Sequence, residues 1–370
     1  MEINKSVKTR KSGIELLRII SMLQVIFLHV CLYGGYSKIA RHDLSRIHRV
    51  LYDLVFLSSR CPVYIYILIF GYFSVTSNKT LSSIKGKIAK IYLPMLFYSL
   101  TIPFLGQAFG LWQLNNTAKA RAFFPLTSKI WYFMTLYLLV LILSPFLNRA
   151  LTALSKKEYT QLITILFLLF SVWTVFAGLK QTGDVIRLDN VFETYNGKSL
   201  YGFIYKYNLG GYLRLHVPCH DKVKFRYLAA FAIFTVINFL LSHYLFSYNK
   251  IVSANDNPFV VLQGICLVLF FRDMKFKSKA VNCIASVNLG VYMIHEHFLV
   301  RNKIWNDWFD VLHEKSFYNT WKYPFKILLI CLTVFVACGI IERIRVWLFK
   351  GIKFLANSFY LKRKQNACKL

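Results

Sequence analysis

The stretch GIELLRIISMLQVIFLH, residues 13–29, is an apolar segment of membrane-spanning character that also contains Glu15, Arg18 and His29. A charged side chain at the centre of a bilayer costs roughly 2.5–3.5 kcal/mol on insertion scales, so such residues usually face protein or water and mark a site. The stretch therefore predicts a transmembrane helix with a functional polar face.

Apolar runs of the same kind recur along the whole 370-residue chain, which is 56% hydrophobic and 17% aromatic. A soluble domain usually has fewer apolar and more charged residues. Runs of about 20 residues match what a hydrocarbon core of about 30 Å requires of a helix. We find such runs at 14–36, 50–75, 88–110, 127–148, 159–179, 199–217, 225–247, 257–272, 281–299 and 325–349. The sequence predicts an all-α, polytopic membrane protein with about ten transmembrane helices.

The chain is strongly basic, with 46 Lys and Arg against 16 Asp and Glu and a formal net charge of +30. Basic clusters can indicate nucleic-acid binding, but here the cationic residues stand in short groups between apolar segments. Most of these groups fall on the side of the N-terminus, as the positive-inside rule predicts for cytosolic loops. We therefore predict a multi-pass protein of the plasma or inner membrane, with both termini in the cytosol. The basic surface is expected to meet the lipid bilayer, and no nucleic acid.

The cysteines give no sign of a metal centre. There are eight, they are scattered along the chain, and none forms a C-x-x-C pair. Neither a zinc site nor a disulfide framework is indicated. We predict no metal site and no permanently bound cofactor.

Arg18 and His29 are predicted to share one face of the first helix. Their eleven-residue separation corresponds to three helical turns and a rise of about 16 Å. Glu15 precedes Arg18 by three residues, which is close enough for an ion pair. Two interpretations stay open: an interfacial ion pair with an unrelated packed histidine, or the two ends of a channel through the protein.

These residues resemble the first-helix motif of a known family, the acyltransferase-3 integral membrane acyltransferases. That motif is an Arg or Lys, ten residues and a His, within a run like G-[ILV]-[DE]-x-[LI]-R. Five later stretches are similar to further segments of the family: CPVYIYILIFGYF (61–73), KIAKIYLP (87–94), IWYFMTLYLLVLILSPFLNRAL (130–151), GFIYKYNLGGYLRLH (202–216) and ASVNLGVYMIHEHF (285–298). The last three resemble the Gram-positive surface- and capsular-polysaccharide O-acetyltransferases.

Two motifs depart from the family pattern. Phe70 stands where the family commonly has Ser, and Lys87 and Lys90 stand where many members have Arg. Lysine keeps the positive charge but gives up the bidentate contacts that Arg makes with phosphate. Neither departure touches the Arg18–His29 pair.

The resemblance implies an O-acetyltransferase that moves an acetyl or other acyl group from cytosolic acetyl-CoA to a hydroxyl of a cell-surface or lipid-linked glycan. It implies a transmembrane acyltransferase domain at 13–350 and a basic cytosolic tail at 351–370. A hydroxyl is a weak nucleophile until a positioned base takes its proton, and a neutral imidazole can do this near pH 7. His29 is therefore expected to act with Arg18 in catalysis, as the base or as an acyl relay.

The remaining candidates divide between the two substrates. The donor carries phosphates, so Glu15, Arg18, Lys87 and Lys90 are predicted to form its site. Acceptor binding or oxyanion stabilisation is predicted for Arg60, Trp131, Tyr292, His295 and Glu296. Structural alternatives stay open for these residues, among them a membrane-anchoring role for Trp131 and an interfacial belt at 292–296.

A polysaccharide flippase or polymerase-type transporter is the alternative function. Such a protein would line a lumen with cations from several successive helices. Most of the intramembrane cations of this chain lie near segment ends instead, and the spaced Arg18–His29 pair has no role in a flippase.

Overall fold

The computed structural model describes residues 11–34, 43–77, 80–128, 130–173, 175, 197–220, 222, 224–244, 255–309 and 318–367. Within these ranges the chain is helical and forms no strand. The predicted all-α fold class is confirmed.

The described ranges contain the following α-helices, numbered in chain order. They are α1 (Ser12–His29), α2 (Arg46–Ser58), α3 (Pro62–Ser74), α4 (Leu81–Ala108), α5 (Asn116–Phe123), α6 (Tyr132–Ala153), α7 (Lys156–Phe167), α8 (Leu200–His216), α9 (Lys224–Tyr244), α10 (Pro258–Arg272), α11 (Lys279–Ala285), α12 (Asn288–His295), α13 (Phe298–Asn302) and α14 (Lys322–Ala367). Short π-helical segments continue α1, α7 and α13 at Val30–Gly34, Leu168–Val172 and Lys303–Trp308.

Local sequence signals fix several helix starts. Ser155 and Glu158 form a capping box at the start of α7, in which each side chain accepts a hydrogen bond from the other residue's backbone N–H. The Asn257 side chain accepts a hydrogen bond from the Phe259 amide at the start of α10, and Pro258 occupies the first helical position.

Among the described residues, six helical segments are long and apolar enough to cross a membrane: Ser12–Gly34, Arg46–Ser74, Leu81–Ala108, Tyr132–Ala153, Lys224–Tyr244 and Lys322–Ile352. A seventh arises if Lys279–His295 and Phe298–Trp308, which meet at 77°, form one broken span. The three other predicted segments also contain helices, namely α7, α8 and α10, but these are short. The chain is thus a polytopic membrane protein, whereas the count of about ten spans and the cytosolic termini stay predictions.

Close backbone contact fixes α3 against α8. A side chain at Gly71 would collide with the carbonyl oxygen of Tyr207, and one at Gly210 with the carbonyl oxygen of Leu68. Glycine permits such approach between membrane helices, where packing rather than hydrophobic burial holds helices together. These two helices share an apolar core with α1 and α10, so α1 is packed against a rigid support.

The last helix runs without a break from Lys322 to Ala367. The predicted boundary between the transmembrane domain (13–350) and the tail (351–370) falls inside it, and residues 368–370 lie outside the described ranges. The division stays a prediction based on composition.

Candidate active site

A cavity of about 390 Å³ runs beside the polar face of α1. Glu15 and Arg18 line one end of it and His29 lines the other. Along the helix axis Arg18 and His29 are separated by about 16 Å. The volume lies within the range of about 300–1,000 Å³ that is typical of small-molecule sites. The polar face of the first helix therefore borders a protein interior, as the channel interpretation expects.

Aromatic side chains from three helices line the cavity between its two polar ends. Tyr66 of α3, Phe133 of α6 and Tyr292 of α12 all line it. The Phe133 ring makes edge-on contacts with Tyr66 at 6.1 Å and with Tyr292 at 5.8 Å between ring centroids. The Tyr66 hydroxyl also donates to the carbonyl oxygen of Arg18 at 2.8 Å. The two polar ends are thus joined by a passage with an apolar, aromatic wall.

An ion pair marks the Arg18 end. Nη1 of Arg18 donates to Oε1 of Glu15 at 2.9 Å, so the pair predicted from the spacing is present. The Glu15 side chain is only 8% exposed, whereas that of Arg18 is 34% exposed. Since a guanidinium has five N–H donors, Arg18 retains donors for a ligand in the cavity.

The His29 end is organised by a chain of hydrogen bonds. Nδ1 of His29 lies 3.1 Å from Nε2 of His295. Nδ1 of His295 lies 2.6 Å from the carbonyl oxygen of Val291, which can only accept, so this nitrogen carries the proton. Nε2 of His295 is then an acceptor, and His29 must donate through Nδ1. The arrangement assigns the unprotonated nitrogen of a neutral His29 to Nε2.

Nε2 of His29 is the nitrogen that a substrate can reach. It has no hydrogen-bond partner among the described residues. It is also not one of the polar atoms that are completely buried without a partner in those residues, so it is accessible. His29 itself is buried at 9% exposure and lines the cavity. Its lone pair is therefore available to a hydroxyl proton in the cavity.

A carboxylate lies beside this histidine. Oε2 of Glu296 is 3.1 Å from Nδ1 of His29. Its other oxygen, Oε1, accepts from Nη1 of Arg301 at 3.0 Å. The Arg301 guanidinium lies over the Tyr33 ring at 4.3 Å and donates to its hydroxyl at 3.2 Å. The Glu296 carboxylate is thus held where it would stabilise a positive charge developing on the His29 ring.

A sharp bend in the chain creates this arrangement. The helix α12 ends at His295, and the next helical segment leaves at 77°. The His297 side chain begins α13 by accepting a hydrogen bond from the Leu299 amide at 3.4 Å. As a result, Glu296, directly after α12, and Arg301, within α13, both reach the end of α1.

A family model for the acyltransferase domain, acyltransferase 3, matches residues 11–343. This chain belongs to the acyltransferase-3 family. It is therefore a membrane acyltransferase with several apolar helices, and an acyl donor and an acyl acceptor are its substrates. No curated protein and no solved structure matches the chain.

The acyltransferase cavity brings together most of the residues that the sequence singled out. Glu15, Arg18, His29, Arg60, Tyr292 and Glu296 line it, and His295 contacts His29. Lys87 and Lys90 do not line it, but both are exposed on α4, and Ile91, the residue after Lys90, does. None of their functional roles is tested by this placement, so the roles stay predictions.

Trp131 occupies a different position from its neighbour. It is buried, and its indole N–H donates to the carbonyl oxygen of Met293 at 3.0 Å. Its ring packs edge-on against His297 at 5.6 Å. The adjacent Tyr132 lines the cavity instead. The aromatic side chain that lines the cavity at this point is thus Tyr132 and not Trp131.

Sequence reasoning missed Lys198, which lines the His29 end of the cavity together with Arg60. Its ammonium lies over the Tyr132 ring at 5.2 Å. Partial burial and the positive charge of Arg60 lower the pKa of Lys198 from its usual value. The sequence offered one signal, a cation immediately before the apolar run at 199–217. That end of the run is predicted to face the outside, where the positive-inside rule does not favour a cation.

One group of residues has the composition of a metal site. Ligand atoms of His29, His295 and Glu296 all lie within 4.8 Å of one another. However, Glu296 is paired with Arg301, and the cations Arg60 and Lys198 line the same end of the cavity. This positive surrounding disfavours a divalent cation at the group.

Proposed function

We propose that this membrane acyltransferase transfers an acetyl group from cytosolic acetyl-CoA to a hydroxyl of a lipid-linked or cell-surface glycan, across the plasma or inner membrane. His29 is the general base. The observation that carries the proposal is the single cavity with Arg18 at one end and His29 at the other.

The Arg18 end suits the donor. Its approach is basic, since Lys87 and Lys90 are exposed one helical turn apart on α4, and acetyl-CoA carries phosphates at one end and a thioester at the other. With the phosphates near these cations, the acyl arm would extend along the aromatic passage past Arg18. The passage of about 16 Å is roughly half of the hydrocarbon thickness. The thioester carbon is thereby presented near His29.

The His29 end suits proton transfer. Nε2 of His29 would take the proton of the acceptor hydroxyl while that oxygen forms a bond to the thioester carbon. Collapse of the tetrahedral intermediate breaks the C–S bond, and the imidazolium returns its proton to the leaving thiolate. Glu296 stabilises the imidazolium and His295 fixes the tautomer that makes Nε2 the base.

The same nitrogen could carry the acyl group covalently before passing it on. A single turnover without acceptor separates the two routes. Direct transfer predicts no labelled protein after [¹⁴C]acetyl-CoA is added, whereas a relay would leave label on the wild-type chain and none on His29→Gln.

The proposed function is tested with sealed, right-side-out membrane vesicles that carry the surface glycan of the expression host. [¹⁴C]Acetyl-CoA is either enclosed in the vesicles or added outside. We expect base-labile label on the glycan only when the donor is enclosed and only when the acyltransferase is present. Label that requires external donor, or glycan movement that needs no acetyl-CoA, would contradict the proposal.

A further inference from the structure

The His29 end of the cavity contains two cations, Arg60 and Lys198, that form no ion pair among the described residues. Within the described residues the Arg60 guanidinium makes no hydrogen bond or ion pair, and its Nε is enclosed without a partner. The ammonium of Lys198 likewise makes no hydrogen bond or ion pair there. Both side chains line the cavity.

The protein around these cations offers only partial compensation. Arg60 lies over the Phe56 ring at 5.5 Å and Lys198 over the Tyr132 ring at 5.2 Å. A cation over an aromatic ring gains far less than one that is hydrogen-bonded to an anion in a desolvated site. An anionic ligand could therefore stabilise both cations further.

The neighbouring carboxylates offset these two cations only in part, with Glu296 acting on Lys198 and Asp256 on Arg60. Glu296 is paired with Arg301 and lies beside His29. The charge of Asp256 reaches Arg60, but it also acts on Lys206, which is fully buried beneath it. The His29 end thus retains an excess of positive charge.

The phosphates of the donor cannot account for this excess. In the proposed function they stay near Lys87, Lys90 and Arg18, at the opposite end of the cavity, and only the acyl arm approaches His29. The group that arrives at Arg60 and Lys198 is therefore part of the acceptor.

We propose that the acceptor is an anionic saccharide whose carboxylate or phosphate binds between Arg60 and Lys198 while its hydroxyl is presented to His29. This inference rests on the proposed function and narrows its substrate class. Lys198 is more exposed than Arg60, so an anion entering from outside meets Lys198 first and Arg60 deeper in the cavity. Tyr132, between the two, provides an aromatic face for the sugar ring.

The negative charge of such an acceptor has two possible sources. It could belong to the sugar, as in a uronic acid, or to the diphosphate of a lipid carrier. Three acceptor probes distinguish them: octyl glucoside as the neutral probe, octyl glucuronide as the anionic sugar, and a polyprenyl-diphosphate-linked disaccharide. Transfer from [¹⁴C]acetyl-CoA to each is measured with the reconstituted protein.

For the wild-type protein we expect kcat/KM to be higher for an anionic probe than for octyl glucoside. Arg60→Gln and Lys198→Gln should each lower that preference by roughly tenfold, as loss of a charge-assisted hydrogen bond would. Lys119→Gln, an exposed cation on α5 that does not line the cavity, is the matched control and should leave the preference unchanged. Preference for the glucuronide locates the charge on the sugar, and preference for the diphosphate locates it on the carrier.

Equal losses for neutral and anionic probes would overturn the inference and assign Arg60 to oxyanion stabilisation instead.

A direct binding measurement keeps the test independent of turnover. Inorganic pyrophosphate and glucuronate should raise the unfolding temperature of the wild-type protein, and the Arg60→Gln/Lys198→Gln double variant should lose this response. If the wild type binds these anions but acetylates no probe, the proposed function fails while the anion site stands. If it acetylates all probes equally and binds neither anion, the anion site fails alone.

Discussion

His29 and His295 meet through their ring nitrogens at 3.1 Å, although 266 positions separate them along the chain. The contact joins the first helix to the end of α12. Because the Val291 carbonyl oxygen fixes the proton of His295 on Nδ1, the contact also fixes the proton of His29 on its Nδ1. We therefore predict that His295 is a positioning residue, which acts through His29 rather than on the substrate.

The role of His295 predicts a difference between two substitutions. In His295→Gln the amide oxygen can still accept from Nδ1 of His29, whereas in His295→Leu nothing accepts. We expect His295→Gln to retain roughly a tenth or more of the wild-type kcat and His295→Leu to lose about a further tenfold, since correct general-base catalysis contributes about 10²–10⁴. Initial rates of acetyl transfer measure this. Equal activity of the two variants would show that His295 only fills space.

Glu296→Gln removes a charge while keeping size and an oxygen that can accept from Arg301. The imidazolium of His29 then loses its counter-charge at 3.1 Å, so we expect kcat to fall by about 10²-fold and the KM for acetyl-CoA to change little. Glu158→Gln is the control, because glutamine also serves in a capping box and Glu158 is fully exposed on α7. Wild-type turnover in Glu296→Gln would contradict the role of the carboxylate.

The donor assignment is tested at Lys87 and Lys90. The Lys87→Ala/Lys90→Ala variant removes two positive charges from the approach to the Arg18 end, so the KM for acetyl-CoA should rise by roughly tenfold or more while the KM for the acceptor stays the same. Reversal of charge at Lys156 and Lys157, which are exposed on α7, controls for general surface charge. An unchanged donor KM in the double variant would remove these lysines from the donor site.

The helical character of the chain and the relative positions of Arg18 and His29 along α1 can be predicted from the sequence alone. Periodicity along one helix is a local property, so the shared face of Arg18 and His29 and the Glu15–Arg18 pair could be predicted from spacing. All ten predicted apolar segments contain helices, but α10 has only 15 residues and α8 has 17. An apolar run does not by itself reveal how much of it is helical.

Contacts between distant segments could not be predicted in this way. The bend after His295 depends on local capping by His297 and on packing against α1, and it brings Glu296 to His29. Successive residues of a helix point about 100° apart, so Trp131 and Tyr132 face different surroundings. The positions of the neighbouring helices determine that Tyr132 lines the cavity while Trp131 contacts Met293. Lys198 could not be predicted as a site residue for the same reason, because it becomes a candidate only through its proximity to Arg60.

The central claim is that His29 is the base at the meeting point of donor and acceptor. His29→Ala removes the base and makes α1 more apolar, so the variant should insert and accumulate normally. The direct measurement is the rate of [¹⁴C]acetyl transfer to glycan in sealed vesicles, normalised to protein, with His243→Ala, an exposed histidine on α9, as the matched control. The account predicts a loss of at least about 10²-fold for His29→Ala and wild-type rates for His243→Ala. A well-expressed His29→Ala protein that acetylates its glycan at near the wild-type rate would contradict it.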